Sequence, residues 1–168
     1  MKPFILTLQF DAATDAILQT LRAAHFPQEI NFIPAHLTVF HQLPGEDERA
    51  VLAAIGEVAA SAGPFELGVA EPMRLGRGVA LRVDAPALGG LRDRLAAPFL
   101  DRLIAQDRQK FRPHVTIQNK TTKARAEALY EHMLATWKPL AGTGEGLQLW
   151  RYEGGPWSPV AAFALQGA

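Results

Sequence analysis

His36-Leu37-Thr38-Val39 and His114-Val115-Thr116-Ile117 are two copies of one pattern: histidine, apolar, threonine, apolar. Each copy follows a proline, Pro34 in the first and Pro113 in the second. Alternate side chains of a strand point to the same face. His and Thr then share one face, while Leu37 and Val39, or Val115 and Ile117, share the other. Two such strands, each burying its apolar face, set two imidazoles and two hydroxyls around one substrate atom, as an acid–base pair requires. The chain has five histidines, and chance yields two such copies in about 1% of comparable chains.

Outward from the motifs, the two halves of the chain follow similar plans. Phe4 to Phe10 alternates as a strand, and Ala12 to Ala24 carries Ile17, Leu18 and Leu21 at helical spacing. The first motif strand follows and is broken at Pro44-Gly45. Glu46, Asp47 and Glu48 suit the positive end of a helix dipole, and Val51, Leu52, Ile55, Val58 and Ala59 mark that helix's apolar face up to Gly63-Pro64. Phe65 to Ala70 reads as a strand. The second half opens with a turn at Gly76-Arg77-Gly78 and a strand from Val79 to Val83. Leu88, Leu91 and Leu95 give a helical face, which Pro98 ends or kinks. After the second motif, Thr121 or Thr122 serves as a helix N-cap, and Leu129, Tyr130, Met133 and Trp137 form the apolar stripe. Leu147 to Tyr152 and Val160 to Leu165 read as a closing hairpin around Gly154-Gly155-Pro156.

Each half is therefore strand, helix, His-x-Thr strand, helix, strand. This organisation predicts an α+β fold: two pseudo-symmetric lobes, residues 1–72 and 73–168, within a single bilobal domain. Antiparallel sheets face a central cleft and helices lie outside. The two motif strands lie near the centre.

Composition narrows the function. There is no cysteine, which removes disulfides, thiolate metal sites and a cysteine nucleophile. No stretch approaches membrane-spanning length, and the N-terminal apolar run is too short for a signal peptide, so a cytoplasmic location is expected. Net charge is zero, which suits a small or terminal phosphate better than a long duplex. Charge is uneven, however: Arg108, Lys110, Arg112, Lys120, Lys123 and Arg125 bracket the second motif with no acidic residue among them, a pattern that attracts anions. Gly76-Arg77-Gly78 lacks the Lys and Ser/Thr of a phosphate-binding P-loop, and no His/Asp/Glu spacing matches a zinc or calcium site.

Pro34-Ala35-His36-Leu37-Thr38-Val39-Phe40 and Phe111-Arg112-Pro113-His114-Val115-Thr116-Ile117 resemble the paired motifs of the two-histidine (2H) phosphoesterases. Within these, the chain resembles the 2′-5′ RNA ligase/RNA 2′,3′-cyclic phosphodiesterase family, with support from Arg77 to Val83 and the terminal aromatic hairpin. Two stretches depart from the pattern. Many relatives continue the first motif with Phe-Leu-Gly, where this chain has Phe40-His41-Gln42-Leu43-Pro44-Gly45. Many have Ala-Arg after the second, where this chain has Gln118-Asn119-Lys120.

The resemblance implies a metal-independent cyclic phosphodiesterase that uses no cofactor and acts on a nucleotide or an RNA terminus bearing a cyclic phosphate. It implies that His114 activates water, that His36 protonates the departing oxygen, and that Thr38 and Thr116 bind phosphate oxygens. Histidine suits both proton transfers because its ordinary pKa lies near neutrality. Ligation of RNA ends through a 2′-5′ linkage uses the same groups in reverse, and a binding module without turnover is a third reading. No membrane and no obligate protein partner are expected.

Strand alternation would extend the site. It puts Phe40 beside His36 and Thr38, to stack on a base or to plug the cleft floor. It puts Arg112, Gln118 and Lys120 on the face of His114, as phosphate contacts or as a solvated rim. In a regular strand His41 points away from His36, while His25 and His132 fall on helices.

Overall fold

The computed structural model describes residues 1–167. The first half forms β1 (Phe4–Phe10), α1 (Ala12–His25), β2 (Thr38–Leu43), α2 (Glu48–Ser61) and β3 (Phe65–Arg74). The second forms β4 (Val79–Asp84), α3 (Pro86–Ala96), a one-turn α4 (Ala105–Arg108), β5 (His114–Gln118), α5 (Lys123–Thr136) and β6 (Leu140–Tyr152). A further strand, β7 (Trp157–Ala164), completes the terminal hairpin.

The strands make one antiparallel sheet in the order β2-β1-β6-β3-β4-β5, with β7 also paired to β6. The order is symmetric under exchange of the halves, since β2-β1-β6 corresponds to β5-β4-β3. Each half sends its last strand to the sheet centre: β6 pairs with β1, and β3 pairs with β4. The expected pseudo-symmetric α+β architecture is present, and the sheets of the two lobes are continuous through β3 and β6. The sheet curls until its ends meet, and Leu37, just before β2, forms an antiparallel bridge with Val115 of β5.

Burial drives this closure. Leu37, Val39, Val115 and Ile117 are almost wholly buried in one apolar cluster with Leu18 of α1, Ile55 of α2 and Leu88 of α3. Each such side chain contributes roughly 1.5–3 kcal/mol by leaving water, so the motif strands are held by their apolar faces. Local signals set the helix ends. Asp11 accepts a hydrogen bond from the Thr14 amide at 2.9 Å and another from the Thr143 amide at 2.8 Å, which caps α1 and ties it to β6. Thr122 caps α5 by accepting from the Arg125 amide. α3 stops at Ala96, and the chain around Pro98 continues as a 3-10 turn over Ala97–Arg102.

β6 begins at Leu140, seven residues before the sequence places it. Its first part is the glycine-rich Ala141 to Gly146, which reads as a loop. The glycines serve close packing here. A Cβ at Gly142 would collide with the Thr14 hydroxyl, and one at Gly144 would stand 2.5 Å from the Phe65 ring.

Candidate active site

The Leu37–Val115 bridge sets the geometry of the motifs. In an antiparallel pair the residues flanking a bridge are opposed, which brings His36 towards Thr116 and Thr38 towards His114. All four side chains lie on the face opposite the buried Leu37 and Val115, and all four residues are half-buried. The histidines take diagonal corners of this quartet and the threonines the other two.

Both rings are oriented in the same way. His36 Nδ1 lies 2.8 Å from the Pro34 carbonyl, and His114 Nδ1 lies 2.7 Å from the Arg112 carbonyl. A carbonyl only accepts, so each Nδ1 carries a proton and donates it. Each Nε2 makes no hydrogen bond among the described residues. The partner is two residues upstream in both cases, so the repeated Pro-x-His and Arg-Pro-His segments encode ring orientation as well as the strands.

The surroundings of His36 are less polar than those of an ordinary surface histidine. Trp157 packs edge-on against its ring, with centroids 4.8 Å apart and planes at 61°. Desolvation pushes its pKa down from 6.5 to about 4; the Pro34 hydrogen bond opposes this, and the charges of Arg22, His114 and His41 add to it. His36 is therefore neutral in the free protein at neutral pH. A ring held below its unfolded value binds fewer protons than the unfolded chain between these limits. Folding stability from this group thus falls as pH drops from 6.5 towards about 4. In a histidine-resolved NMR titration, His36 is expected to titrate near pH 4 and to move upward when inorganic phosphate is bound. A value near 6.5 in the free protein would contradict this environment.

Two arginines that the sequence reading did not single out, Arg22 buried and Arg92 half-buried, hold the motif strands in place. Arg22 of α1 is 5% exposed; its guanidinium donates to the Thr116 carbonyl at 3.0 Å and to Asn31 Oδ1 at 2.9 Å. Arg92 of α3 donates to the Val39 carbonyl at 2.9 Å and to the Asp107 carbonyl at 2.7 Å. Each half thus sends an arginine to the motif strand of the other half. These bonds satisfy backbone carbonyls beyond the single bridge, where no neighbouring strand reaches. Burial lowers the Arg22 pKa to about 10, which leaves it charged at neutral pH.

The structure corrects the extension of the site beyond each threonine. In β2 the pairing moves from Thr7–Thr38 to Leu6–Phe40, and in β5 from Ala80–Thr116 to Val79–Gln118. One strand gains a residue on its partner in both cases, which defines a β-bulge. Alternation therefore reverses just after each motif. Phe40 turns into the core, wholly buried under the Arg92 guanidinium, and does not line the cleft. Gln118 also turns inward and is 7% exposed, with an Oε1 that has no hydrogen-bond partner. Lys120 lies beyond the end of β5 at φ 58°, exposed and off the strand face. Arg112 is exposed just before β5, and its carbonyl orients His114. A second register shift follows between Phe40 and Leu43, so β2 is irregular at His41.

A cleft of about 730 Å³ opens beside His36, lined by Gln9, Gln19, Gln148, Glu145 and Trp150 among others. Trp150 is steadied by a 2.9 Å hydrogen bond from its indole to the Thr7 hydroxyl. The aromatic surface at the site thus comes from β6 and β7. Among the described residues no group of three or more His, Cys, Asp or Glu side chains is placed to hold a metal ion. Among the same residues no helix is long and apolar enough to cross a membrane.

Solved structures share this fold. TT0787 of Thermus thermophilus superposes with a TM-score of 0.72 at 19% identity, covering 98% of each chain. A phosphoesterase superposes with a TM-score of 0.66 at 20% identity, again over 98% of each chain. Escherichia coli LigT, in its complex with 3′-AMP, does so with a TM-score of 0.65 at 18% identity over 98% of each chain. No curated protein matches the chain in sequence. The family model of the 2′-5′ RNA ligase superfamily matches residues 10–156, which contain both motifs, their bulges and both arginines. The chain belongs to the 2′-5′ RNA ligase superfamily, the two-histidine phosphoesterases.

Proposed function

We propose that this protein opens 2′,3′-cyclic phosphates at RNA ends or on small nucleotides, with His36 and His114 as general acid and base. The observation that carries this reading is the paired ring geometry: two imidazoles on strands joined by the Leu37–Val115 bridge, each donating its Nδ1–H to a backbone carbonyl and leaving Nε2 free. Water attacks phosphorus while one Nε2 takes its proton. The bond from phosphorus to a ribose oxygen breaks, and the other Nε2 delivers a proton to that oxygen. The product is a phosphomonoester, and solvent restores both rings. The Thr38 and Thr116 hydroxyls donate to the non-bridging oxygens as charge builds on them. Two histidines supply both proton transfers, so this reading requires no metal.

Because His36 is neutral when free, the assignment that the family resemblance implies, His36 as acid, requires it to gain a proton as the anionic phosphate binds. The cleft beside His36 has room for a nucleotide. There Trp150 offers a stacking surface and Gln9 and Gln148 offer amides to a base. Structures of Escherichia coli LigT with NADP+, 3′-AMP and ATP support a nucleotide as the ligand class. The superfamily name supports a second reading, 2′-5′ ligation, in which a 5′-hydroxyl replaces water as the nucleophile, one ring takes its proton and the other protonates the departing 3′-oxygen.

Phosphorus NMR of a 2′,3′-cyclic nucleotide incubated with the protein and a chelator tests the main reading. The cyclic signal should convert to a phosphomonoester. Persistence of the ring would contradict it. RNA halves carrying a cyclic phosphate and a 5′-hydroxyl, assayed in parallel for joined product, test the second.

A further inference from the structure

The sheet order repeats between the halves, and among the strands β7 alone has no counterpart in the first half. It breaks the symmetry at one of the two histidines. Trp157, the first residue of β7, packs edge-on against the His36 ring, with centroids 4.8 Å apart. No aromatic ring packs against His114 among the described residues. Trp157 is itself braced. Its ring lies 6.0 Å from that of Trp150, whose indole donates to the Thr7 hydroxyl. Tyr152 of β6 opposes Trp157 in the ladder. The turn between them is closed by the Glu153 amide, which donates to the Pro156 carbonyl at 2.9 Å, and by the Ser158 hydroxyl, which donates to the Glu153 carboxylate at 2.8 Å. Lys2 pairs with the same carboxylate at 3.0 Å and ties the turn to the N-terminal segment.

Contact on one side changes what His36 can do. Its hydrogen bond to the Pro34 carbonyl holds the ring at Nδ1 and leaves the plane free to swing. Trp157 blocks that swing and takes one side of the ring out of water, which disfavours the protonated form. The charged and titratable groups around the ring come from other elements. α1 supplies Arg22 and, on the cleft wall, Asp15; β6 supplies Glu145 on the same wall and Tyr152 across from Trp157. β5 supplies His114. β2 supplies His41, whose ring and amide donate to the buried Asp107 carboxylate, as the Gln42 amide does. β1 and β7 contain no titratable side chain. β7 therefore acts on His36 through packing and exclusion of water, not through charge.

We infer that Trp157 is a positioning residue for the reaction: it clamps and dries one side of His36 alone, and so gives the two histidines of a near-symmetric site unequal parts. This rests on the proposed cyclic-phosphate reading and deepens it. Trp157 acts through the ring it holds and not by contact with the reacting phosphorus. His36 then changes protonation with the arrival of an anionic substrate, rather than with solvent pH across the neutral range.

Trp157→Ala and Trp157→Phe separate this role from a structural one. The test measures kcat and KM on adenosine 2′,3′-cyclic phosphate, a histidine-resolved NMR titration and thermal melting for each protein. Trp157→Ala should lower kcat by about tenfold or more through loss of ring placement, with KM within about twofold of wild type. Its His36 titration should rise from about 4 towards 6.5, and that of His114 should stay where wild type has it. Trp157→Phe restores an aromatic contact and should recover most of kcat and most of the His36 titration. A raised KM with unchanged kcat in Trp157→Ala would make Trp157 a stacking platform for the base and overturn the inference. Equal movement of both histidine titrations would overturn it too, as would a Trp157→Phe variant that melts like wild type yet is as slow as Trp157→Ala. Where wild type opens the cyclic nucleotide, an unchanged kcat in Trp157→Ala overturns this inference alone and leaves the cyclic phosphodiesterase reading standing. A wild type that does not open it removes both.

Discussion

Replacing His36 or His114 by alanine is expected to lower kcat on a 2′,3′-cyclic nucleotide by about a thousandfold or more, at the upper end of what positioned acid–base groups contribute. The double variant should be little worse than the weaker single variant, because the rings act as a unit in one proton-transfer cycle. The fold should survive both changes. The two residues are half-buried at the cleft, and the neighbours that hold the strands, Leu37 and Val115, are untouched. Circular dichroism and thermal melting check this beside the kinetics. Retention of full turnover in either single variant would remove the paired mechanism.

The second large effect belongs to Arg22. It is a buried cation with no carboxylate partner among the described residues, and its bonds go to the Thr116 carbonyl and Asn31. Its charge is one of the causes that keep His36 neutral. Arg22→Met preserves much of the volume and removes both effects. Thr116 and His114 then lose the contact that fixes their strand, and a displacement of about 1 Å at a reacting group can cost on the order of a hundredfold in rate. Turnover is expected to fall by roughly that factor, and the His36 titration should move upward from about 4. Arg22→Lys should restore part of the charge effect and less of the positioning, since a single ammonium does not reproduce the fork. An unchanged rate together with an unchanged His36 titration in Arg22→Met would show that Arg22 only fills space.

The elements nearest the chemistry were readable because their signals are local. Alternation in His36 to Val39 and His114 to Ile117 marked strands, and Asp11, Thr122 and Pro98 marked where helices start or stop. The repeated order of elements was enough to predict facing motif strands. The remaining features depend on pairing between distant segments. The bulges that turn Phe40 and Gln118 inward exist only in the register of β2 against β1 and of β5 against β4. No alternation pattern within β2 or β5 reports them. The start of β6 was hidden because Gly142 and Gly144 read as loop residues, and their reason is the approach of Thr14 and Phe65 from elsewhere in the chain. Arg22, Arg92 and Asp107 carry no motif that separates them from the chain's other charged residues. Their function comes from the carbonyls and amides left open where β2 and β5 diverge from the Leu37–Val115 bridge. One signal was available: Arg22 stands four residues after Leu18, on the stripe that α1 buries.

The central claim is that His36 and His114 address one phosphorus from opposite sides. A crystal structure of the protein soaked with a nucleoside 3′-phosphate tests it most directly. The account predicts the phosphate between the two rings, each Nε2 within hydrogen-bond distance of a different oxygen and the Thr38 and Thr116 hydroxyls on the remaining ones. A phosphate bound elsewhere, or one that touches only one of the two imidazoles, would contradict it.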